Sequence, residues 1–338
     1  MTTTERTAAV PATLSARARP LRWVAYVVVA LVLLAIPQFA SPYTNLQLTL
    51  ILVYGVAILG LDVLVGRAGQ VSLGQSAFVG LGAYAAAYAF GHGWGPVAAL
   101  ALAVALAGVV AVLVAIPAVR LRGFAFGIIT LALPAFAVPL ANRLVGLTGG
   151  SQGVAVVATT SPGWTGQADD QWRLYLVGVV AAVVFWVVHN LLDGRLGRAL
   201  AAIRVNEAMA AANGVAVHRN KVLAFTVAGL CGGVAGWLYL IAVQFVSPAL
   251  LQLNLAVSLL VALVVGGTRS LLGALLGAAF FVLVPNVTDN ISPGRSYLIF
   301  GICLLVVLFF FPGGLAGALR RLLGWIRRRI GRERVTAS

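Results

Sequence analysis

Long uncharged apolar runs are the feature that most restricts how this chain can fold. They occupy residues 23–39, 97–119, 175–188 and 298–311, and they approach or reach the roughly 20 residues with which a helix crosses a bilayer. Only 9% of the residues are charged, whereas soluble domains carry about a quarter. The chain cannot cover a soluble surface of its size and is predicted to be a polytopic helical membrane protein.

The apolar segments predict an all-α transmembrane helical bundle of about ten membrane segments. These segments are 22–40, 46–65, 69–90, 97–119, 123–141, 172–192, 222–245, 250–267, 271–288 and 296–312. With a cytoplasmic N-terminus, all but three of the 23 lysines and arginines lie inside, and Arg143, Arg173 and Arg295 lie outside. Because positive charge collects on the cytoplasmic side, we expect both termini there. The net charge of +15 is then explained by the orientation of the chain in the membrane and does not indicate nucleic-acid binding.

The same pattern divides the chain into regions. Residues 1–20 are predicted to form a cytoplasmic N-terminal tail, 21–317 the transmembrane domain, and 318–338 a basic cytoplasmic tail that can lie on anionic lipid. Within the domain, 142–171 form an external loop that either contacts an external protein or only connects two spans. Residues 193–221 form the longest internal cytoplasmic loop.

The stretch at residues 66–87 is apolar yet contains five glycines and several polar side chains. Its small residues fall four apart and predict one tightly packed helix face: Ala68, Ser72, Ser76 and Gly80. Polar groups at membrane depth are costly unless paired or wetted, so its polar residues indicate a cavity lining or a broken helix: Gln70, Ser72, Gln75 and Ser76. Packing and pathway interpretations both stay open.

Small residues also recur at four-residue spacing elsewhere in the chain. This spacing allows close approach of helix backbones, which drives helix packing in lipid. The predicted packing glycines are Gly80, Gly229, Gly232, Gly233, Gly236, Gly273 and Gly277.

Residues suited to catalysis or metal binding are few and scattered in the sequence. Cys231 and Cys303 lie inside apolar segments and are predicted to be small buried hydrophobic residues. The only lysine, Lys221, follows Asn220, so the sequence contains no P-loop. We therefore predict no metal site, no cofactor and no enzymatic activity for the chain itself.

Asp62 is the only acidic residue inside a predicted span. A carboxylate at the bilayer centre costs about 2.5–3.5 kcal/mol, and this cost shrinks towards the cytoplasmic end where Asp62 and Arg67 lie. Two interpretations are open, a structural salt bridge near the interface and a site for a proton or a substrate.

The cytoplasmic loop 193–221 carries an amphipathic helical pattern. Apolar residues recur at helical spacing with arginines between them: Arg195, Leu196, Arg198, Ala199, Leu200, Ile203 and Arg204. The following EAMAAA favours a helix, and Asn213-Gly214 is typical of a helix end. The pattern predicts one short helix ending at Gly214, which either lies on the membrane surface or docks a cytoplasmic partner.

Six motifs follow one another from about residue 45 to 317. They are LDVLVGRAGQVSLGQSAFVGLGAYAAA, LRGFAFGIITLAL, LTGGSQGV, GRLGRALAAIRVNEAMAAANGVAVHRNKVLAFTVAGLCGGVAGWLYL, FVSPALLQLNLAVSLLVALVVGGTRSLLGALLGAAFFVLVP and FPGGLAG. In this order the set resembles the permease subunits of branched-chain amino acid ABC importers, the LivM-like type. Each motif alone is weak, but the ordered set covers nearly the whole chain.

The resemblance implies a multi-pass permease of the bacterial inner membrane that moves branched-chain amino acids or a similar small polar metabolite inward by alternating access. The 195–214 segment would be the coupling helix, through which movement of the ATPase subunits reaches the permease. The residues expected to couple to the ATPase are Arg198, Arg204, Glu207, Ala208, Ala210 and Gly214. The glycine-rich third segment would line the path, for which the candidate residues are Asp62, Gln70, Ser72, Gln75 and Ser76.

The resemblance also implies partners. Separate cytoplasmic ATP-binding subunits would handle ATP, so that this chain binds no cofactor. A second permease subunit would complete a heterodimer, and a periplasmic or lipid-anchored binding protein would deliver substrate to the outside. Membrane lipid surrounds the bundle, and no nucleic-acid partner is expected.

Two departures from the family pattern leave alternatives open. Asp62 stands where the family usually has asparagine, and Gln75 stands where histidine is common. Related permeases carry urea, short amides or sugars, which are alternative substrates. A stand-alone ion-coupled transporter with Asp62 as coupling site is a further alternative, which ten spans and broken, glycine-rich segments would suit. The similarity between VGRAGQVSLG and VGGTRSLLG hints at an internal repeat but is too short to support this alternative. A membrane-embedded enzyme is the weakest alternative.

Overall fold

Helices account for almost all of the described chain. The structure is a computed structural model that describes residues 37–121, 124–163, 166–291, 301–306, 309 and 313–321. Its helices are α1 (Pro42–Asp62), α2 (Gln75–Gly91), α3 (Pro96–Ala118), α4 (Phe124–Arg143), α5 (Val145–Thr148), α6 (Asp169–Asp193), α7 (Arg195–Val205), α8 (Glu207–Ala212), α9 (Val217–Val243), α10 (Leu253–Gly266) and α11 (Leu271–Ile291). Residues 301–306 and 314–321 are also helical. The predicted all-α class is confirmed.

Six helices within the described ranges are long and apolar enough to cross a membrane. They are Pro42–Arg67, Pro96–Ala118, Ala125–Arg143, Asp169–Asp193, Val217–Val243 and Leu271–Thr288. The prediction of a polytopic transmembrane bundle is confirmed, while the total of about ten segments stays a prediction. Most of the predicted segments 22–40 and 296–312, and most or all of the two predicted tails, lie outside the described residues.

The predicted third segment, 69–90, is wrong at its start. α2 begins at Gln75, and residues 68–74 are not helical. Ala68 and Ser72 therefore do not share a helix face with the other two small residues of that pattern. The physical reason lies at Gly69, whose φ of +71° leaves the helical region and is favourable only for glycine.

Two other predicted segments are divided in the structure. The segment 250–267 consists of a 3-10 turn at Pro248–Leu251 followed by the 14-residue α10, which is too short to cross the bilayer alone. The single helix predicted to end at Gly214 is two helices, α7 and α8. Asn206 separates them in an extended conformation, and its side-chain Oδ1 caps α8 by accepting the Met209 backbone N–H at 3.0 Å.

α9 lies at the centre of the bundle, against α1, α2 and α3. α3 turns a row of fully buried methyl groups towards it: Ala99, Ala103, Ala107, Ala111 and Ala115. A Cβ on Gly233 would lie 2.6 Å from the Ala107 Cβ, and a Cβ on Gly236 would overlap the Val79 carbonyl of α2. These helices therefore touch almost backbone to backbone, which is how helices gain packing energy in lipid.

The remaining predicted packing glycines also face neighbouring segments. A Cβ on Gly80 would overlap the Leu251 side chain, and one on Gly229 would overlap the Ala111 methyl group. In the contact between α10 and α11, a Cβ on Gly273 or Gly277 would overlap a backbone carbonyl, that of Gly267 or Ala262 respectively. At these sites a larger residue forces the neighbouring side chain or segment to shift.

Contacts between distant segments gather at two ends of the bundle. At the end predicted to be external, Tyr43 donates to Asn286 Oδ1 at 2.9 Å. At the same end β1 (Val154–Ala155) pairs antiparallel with β2 (Phe245–Val246). At the end predicted to be cytoplasmic, the end of α1 meets α7 and the turn between α10 and α11. The break after α1 lies at this second end.

Candidate functional site

The chain between α1 and α2 is a break in the helical structure. α1 ends in a π-helical turn at Val63–Arg67, which the Ala68 N–H closes by donating to the Val63 carbonyl at 3.1 Å. Gln70 N–H then donates to the Leu64 carbonyl at 3.0 Å. π-helical turns are rare and occur frequently at functional sites. Irregular backbone therefore follows the C-terminal end of α1 directly.

Thr130 of α4 holds the end of this break. Its hydroxyl accepts the Leu73 backbone N–H at 3.1 Å and donates to the Gly127 carbonyl at 2.9 Å. The Ser72 hydroxyl accepts the Gly74 N–H at 3.3 Å. Thr130 is fully buried, and the sequence analysis did not identify it because its partner lies 57 residues away.

Gln75 and Ser76 connect the start of α2 to three other segments. Gln75 Nε2 donates to the Ala57 carbonyl of α1 at 3.0 Å and to the Ala228 carbonyl of α9 at 3.2 Å. The Ser76 hydroxyl donates to the Leu251 carbonyl at 3.3 Å. Both side chains are buried, so these bonds satisfy polar groups that would be costly in a low-dielectric interior.

Gln70 is buried like Gln75 and Ser76, but its Oε1 accepts no hydrogen bond from the described residues. A buried acceptor without a partner costs the free energy of its lost hydration. Among the five predicted path residues, Gln70 Oε1 and Asp62 Oδ2 are thus the buried oxygens without a hydrogen-bond donor in the described chain, and Gln70 Oε1 is the uncharged one.

Asp62 connects the two irregular turns at the end of the bundle predicted to be cytoplasmic. The residue is 1% exposed, and its Oδ1 accepts the backbone N–H of Arg269 at 2.7 Å. Its Oδ2 lies 3.9 Å from the Nε of Arg67. Arg269 has a φ of +61°, which is uncommon for a residue with a side chain and marks a strained turn between α10 and α11.

Glycine is required beside this carboxylate. A Cβ on Gly66 would overlap Asp62 Oδ1. The two short segments with similar sequence, VGRAG and VGGTR, therefore lie against each other at this end of the bundle.

Helices α7 and α8, at the end predicted to be cytoplasmic, form a groove with a volume of about 270 Å³. Its lining is Ala202, Val205, Asn206, Met209, Ala210, Asn213 and Val215. Val205 is 85% exposed and Met209 is 64% exposed, although both are large and apolar. Large apolar groups exposed together on a polar face are typical of a protein contact.

The predicted coupling residues take different positions on these helices. Arg198 donates to the Asp193 carbonyl at 3.3 Å and stays within the loop. Arg204 Nη1 donates to the Gly66 carbonyl and so reaches the membrane helices. Ala210 lines the groove, Ala208 is exposed beside it, and Gly214 follows α8 with a φ of +80°.

Glu207 is paired with Lys221 at the start of α9. Lys221 Nζ donates to Glu207 Oε1, and the lysine side chain is 2% exposed while that of Glu207 is 35% exposed. From the sequence, Lys221 served only to show that the chain contains no P-loop. Its burial among apolar neighbours gives no signal in the sequence.

An apolar cavity of about 280 Å³ lies where α2, α3 and α4 meet the 3-10 turn at Pro248–Leu251. Phe78, Tyr84 and Leu251 are part of its lining, and the Tyr84 hydroxyl has no hydrogen-bond partner in the described chain. No group of three or more His, Cys, Asp or Glu side chains able to hold a metal occurs in the part of the chain that the structure describes.

A family model described as "Branched-chain amino acid transport system / permease component" matches residues 44–308. The chain belongs to this family. The permease is 29% identical over 313 residues to the high-affinity branched-chain amino acid transport system permease protein LivM of Escherichia coli, covering 85% of this chain and 73% of that protein. The protein of the same name in Salmonella typhimurium is 28% identical over 291 residues, covering 79% and 68%.

More distant proteins also resemble the permease. A probable branched-chain amino acid transport permease protein LivM of Methanocaldococcus jannaschii is 25% identical over 225 residues, covering 61% of this chain and 64% of that protein. The solved structure of PsaBC from Streptococcus pneumoniae in complex with Fab covers 84% of this chain and 96% of that chain, with a TM-score of 0.41 and 17% identity. A likeness at that score adds nothing to the assignment.

Family membership confirms several predictions made from the sequence. The chain is the permease subunit of an ABC transport system and not itself an enzyme. With six candidate spans it is a multi-pass protein of the inner membrane. Permeases of this kind work with ATPase and substrate-binding partners.

Proposed function

We propose that the permease moves branched-chain amino acids, or a similar small polar metabolite, inward by alternating access that separate ATPase subunits drive. The observation that carries the proposal is the groove between α7 and α8. It exposes Val205 and Met209 at the end of the bundle predicted to be cytoplasmic, where water is the alternative to a partner. Removing such side chains from water favours association by about 25 cal/mol per Å² of apolar surface.

The groove is held by the rest of the permease on both sides, which suits a surface that receives force. Arg204 of α7 is hydrogen-bonded to Gly66, and Glu207 of α8 is paired with Lys221 of α9. An ATPase subunit bound to this groove would therefore push on the membrane helices and not on a loosely attached loop.

We propose that ATP is bound by those partners and that this chain binds no cofactor. The only lysine of the chain is buried in its pair with Glu207. Its ammonium group is thus engaged with a carboxylate and not presented to a phosphate. A lysine that reaches the β- and γ-phosphates is part of the P-loop mechanism.

The translocation path is proposed to run beside the break between α1 and α2. Gln70 supplies an unpaired acceptor there and Ser72 a hydroxyl. Gln75 and Ser76 hold the start of α2, and Asp62 holds the opposite edge of the break. A second, non-identical permease subunit is proposed to complete the path, and a periplasmic or lipid-anchored binding protein to deliver substrate at the external end.

Co-purification with the ATPases encoded beside this gene tests the proposal. Tagged permease is purified in mild detergent as wild type, as Met209→Glu and as Ala211→Glu. Met209 lines the groove, whereas Ala211 is exposed on the opposite face of α8, so the second variant adds the same charge outside the groove. We expect the ATPase to stay with wild type and Ala211→Glu and to be lost from Met209→Glu.

Two results would contradict the proposal. Equal retention of the ATPase by all three proteins would exclude the groove as the docking surface. If wild type retains no ATPase but moves leucine into liposomes alone, the permease works without an ATPase and the importer mechanism is wrong.

A further inference from the structure

We propose that Arg204 transmits movement of α7 to the break between α1 and α2, and that it is not part of the surface that binds the ATPase. The inference rests on the proposed function and deepens it. Arg204 Nη1 donates to the carbonyl of Gly66, in the π-helical turn. A Cβ on Gly69 would lie 3.1 Å from Arg204 Cγ. One side chain of α7 therefore contacts both ends of the segment 66–69.

The chemistry of this contact suits a guanidinium group. The last carbonyls of a helix lack partners within the helix and carry partial negative charge. Arg204 places a fixed positive charge with several N–H donors at that point. Arg198, on the same helix, donates instead to the carbonyl of Asp193, the last residue of α6, at 3.3 Å. Arg198 and Arg204 therefore act on different parts of the protein.

The contact continues from Gly66 in two directions. Along the chain, the break leads within a few residues to Gln70 and then to α2. Across the bundle, Gly66 lies against the Asp62 carboxylate, and Asp62 Oδ1 accepts the Arg269 N–H at 2.7 Å in the turn before α11. Displacement of Arg204 thus acts on the starts of α2 and α11 together through packed and hydrogen-bonded groups.

Reconstitution of the assembled transporter tests this role. The permease with its ATPases, second permease and binding protein is placed in liposomes, and leucine uptake and ATP hydrolysis are measured together. The permease is wild type, Arg204→Ala, Arg204→Lys or Arg195→Ala. Arg195 is an exposed arginine of the same helix, outside the groove lining, so it controls for the lost charge.

We expect Arg204→Ala to retain its ATPases and to hydrolyse ATP, while leucine moved per ATP falls by about fivefold or more, the lower end of typical coupling between sites. Arg204→Lys keeps a donor and an apolar stem and restores part of this ratio. Arg195→Ala matches wild type. A mere loss of stability would lower the amount of active complex without changing the ratio.

The outcomes separate this inference from the proposed function. If Arg204→Ala is monodisperse but loses its ATPases, Arg204 belongs to the docking surface and the inference is wrong. If it transports leucine per ATP as wild type does, the contact transmits nothing and the inference is also wrong. If Arg204→Ala is not monodisperse, the ratio of Arg204→Lys decides in the same way. Failure of wild type to retain its ATPases would overturn both proposals.

Discussion

Lys221 shows how a single buried charge can connect two parts of this protein. Its side chain is 2% exposed at the start of α9, and its ammonium group donates to Glu207 at the start of α8. A buried ammonium group is tolerated when a carboxylate compensates for its lost hydration. The pair therefore fixes the short helix α8, and with it one wall of the groove, to the central helix of the bundle.

Glu207→Gln is expected to destabilise the detergent-purified permease by about 2 kcal/mol, because the buried ammonium group loses its charged partner. The measurement is the thermal unfolding temperature, with Asp193→Asn as control. Asp193 pairs with His189 at 3.5 Å on the surface, with a side chain 68% exposed, so its removal is expected to cost less than about 0.5 kcal/mol. The double variant Glu207→Gln/Lys221→Met removes both charges and is expected to recover part of the loss. If the loss of unfolding free energy in the double variant equals the sum of the losses in the two single variants, the pairing is wrong.

At the scale of helices, packing through glycine and alanine distinguishes the centre of the bundle from its edge. α9 contacts α2 and α3 through Gly233 and Gly236, where methyl groups or backbone atoms fill the space that a side chain would need. In α4 and α6, by contrast, only 22% of an 18-residue apolar stretch is buried inside the bundle. Helices α2, α3 and α9 therefore form a closely packed centre of the described bundle.

Gly236→Ala is expected to separate α9 from α2, because its methyl group would overlap the Val79 carbonyl. Overpacking of this kind costs about 1–3 kcal/mol, which a lowered unfolding temperature in detergent would report. Gly91→Ala is the matched control, since a Cβ at Gly91, the last residue of α2, meets no atom within 4 Å. Equal unfolding temperatures for the two variants would exclude close packing as the role of Gly236.

Helices were predictable where local sequence determines them, and breaks were not. The apolar runs place α3 and α6 within a few residues of their observed bounds. The polar residues Gln70 and Ser72 left a broken helix open as one interpretation, but the predicted segment 69–90 still ran through the break at 68–74. Val71 and Leu73 continue the apolar pattern there, and the bond that holds the break comes from Thr130, 57 residues away from Leu73. The cluster around Asp62 was half predicted: Arg67 is near in sequence, but Arg269 approaches only through the fold.

At the scale of the whole molecule, long-range contacts sort by predicted side of the membrane. Arg67, Arg204 and Arg269, all predicted to be cytoplasmic, meet around Asp62 and Gly66. Asn45 and Asp170, predicted to be external, meet at 2.7 Å at the other end. If the spans alternate in direction as predicted, the residues of each of these two groups lie at the same end of the bundle, which agrees with the observed contacts.

Thiol labelling of intact cells tests this orientation. On a Cys303→Ala background, with Cys231 buried, single cysteines replace Val157, which is 72% exposed, or Ala211, which is exposed on α8 outside the groove. A membrane-impermeant maleimide is expected to label Val157→Cys in intact cells and Ala211→Cys only after permeabilisation. The reverse pattern would show that the bundle is inserted upside down relative to the predicted sides.

The contact between Gly66 and Asp62 restricts the order in which these positions can change in descendants of this protein. A side chain at position 66 would occupy the space of the Asp62 carboxylate, and so it is tolerated only after position 62 has become smaller. A smaller residue at 62 in turn removes the acceptor of the Arg269 N–H. We expect each first step to be harmful alone and therefore expect the two positions to change together.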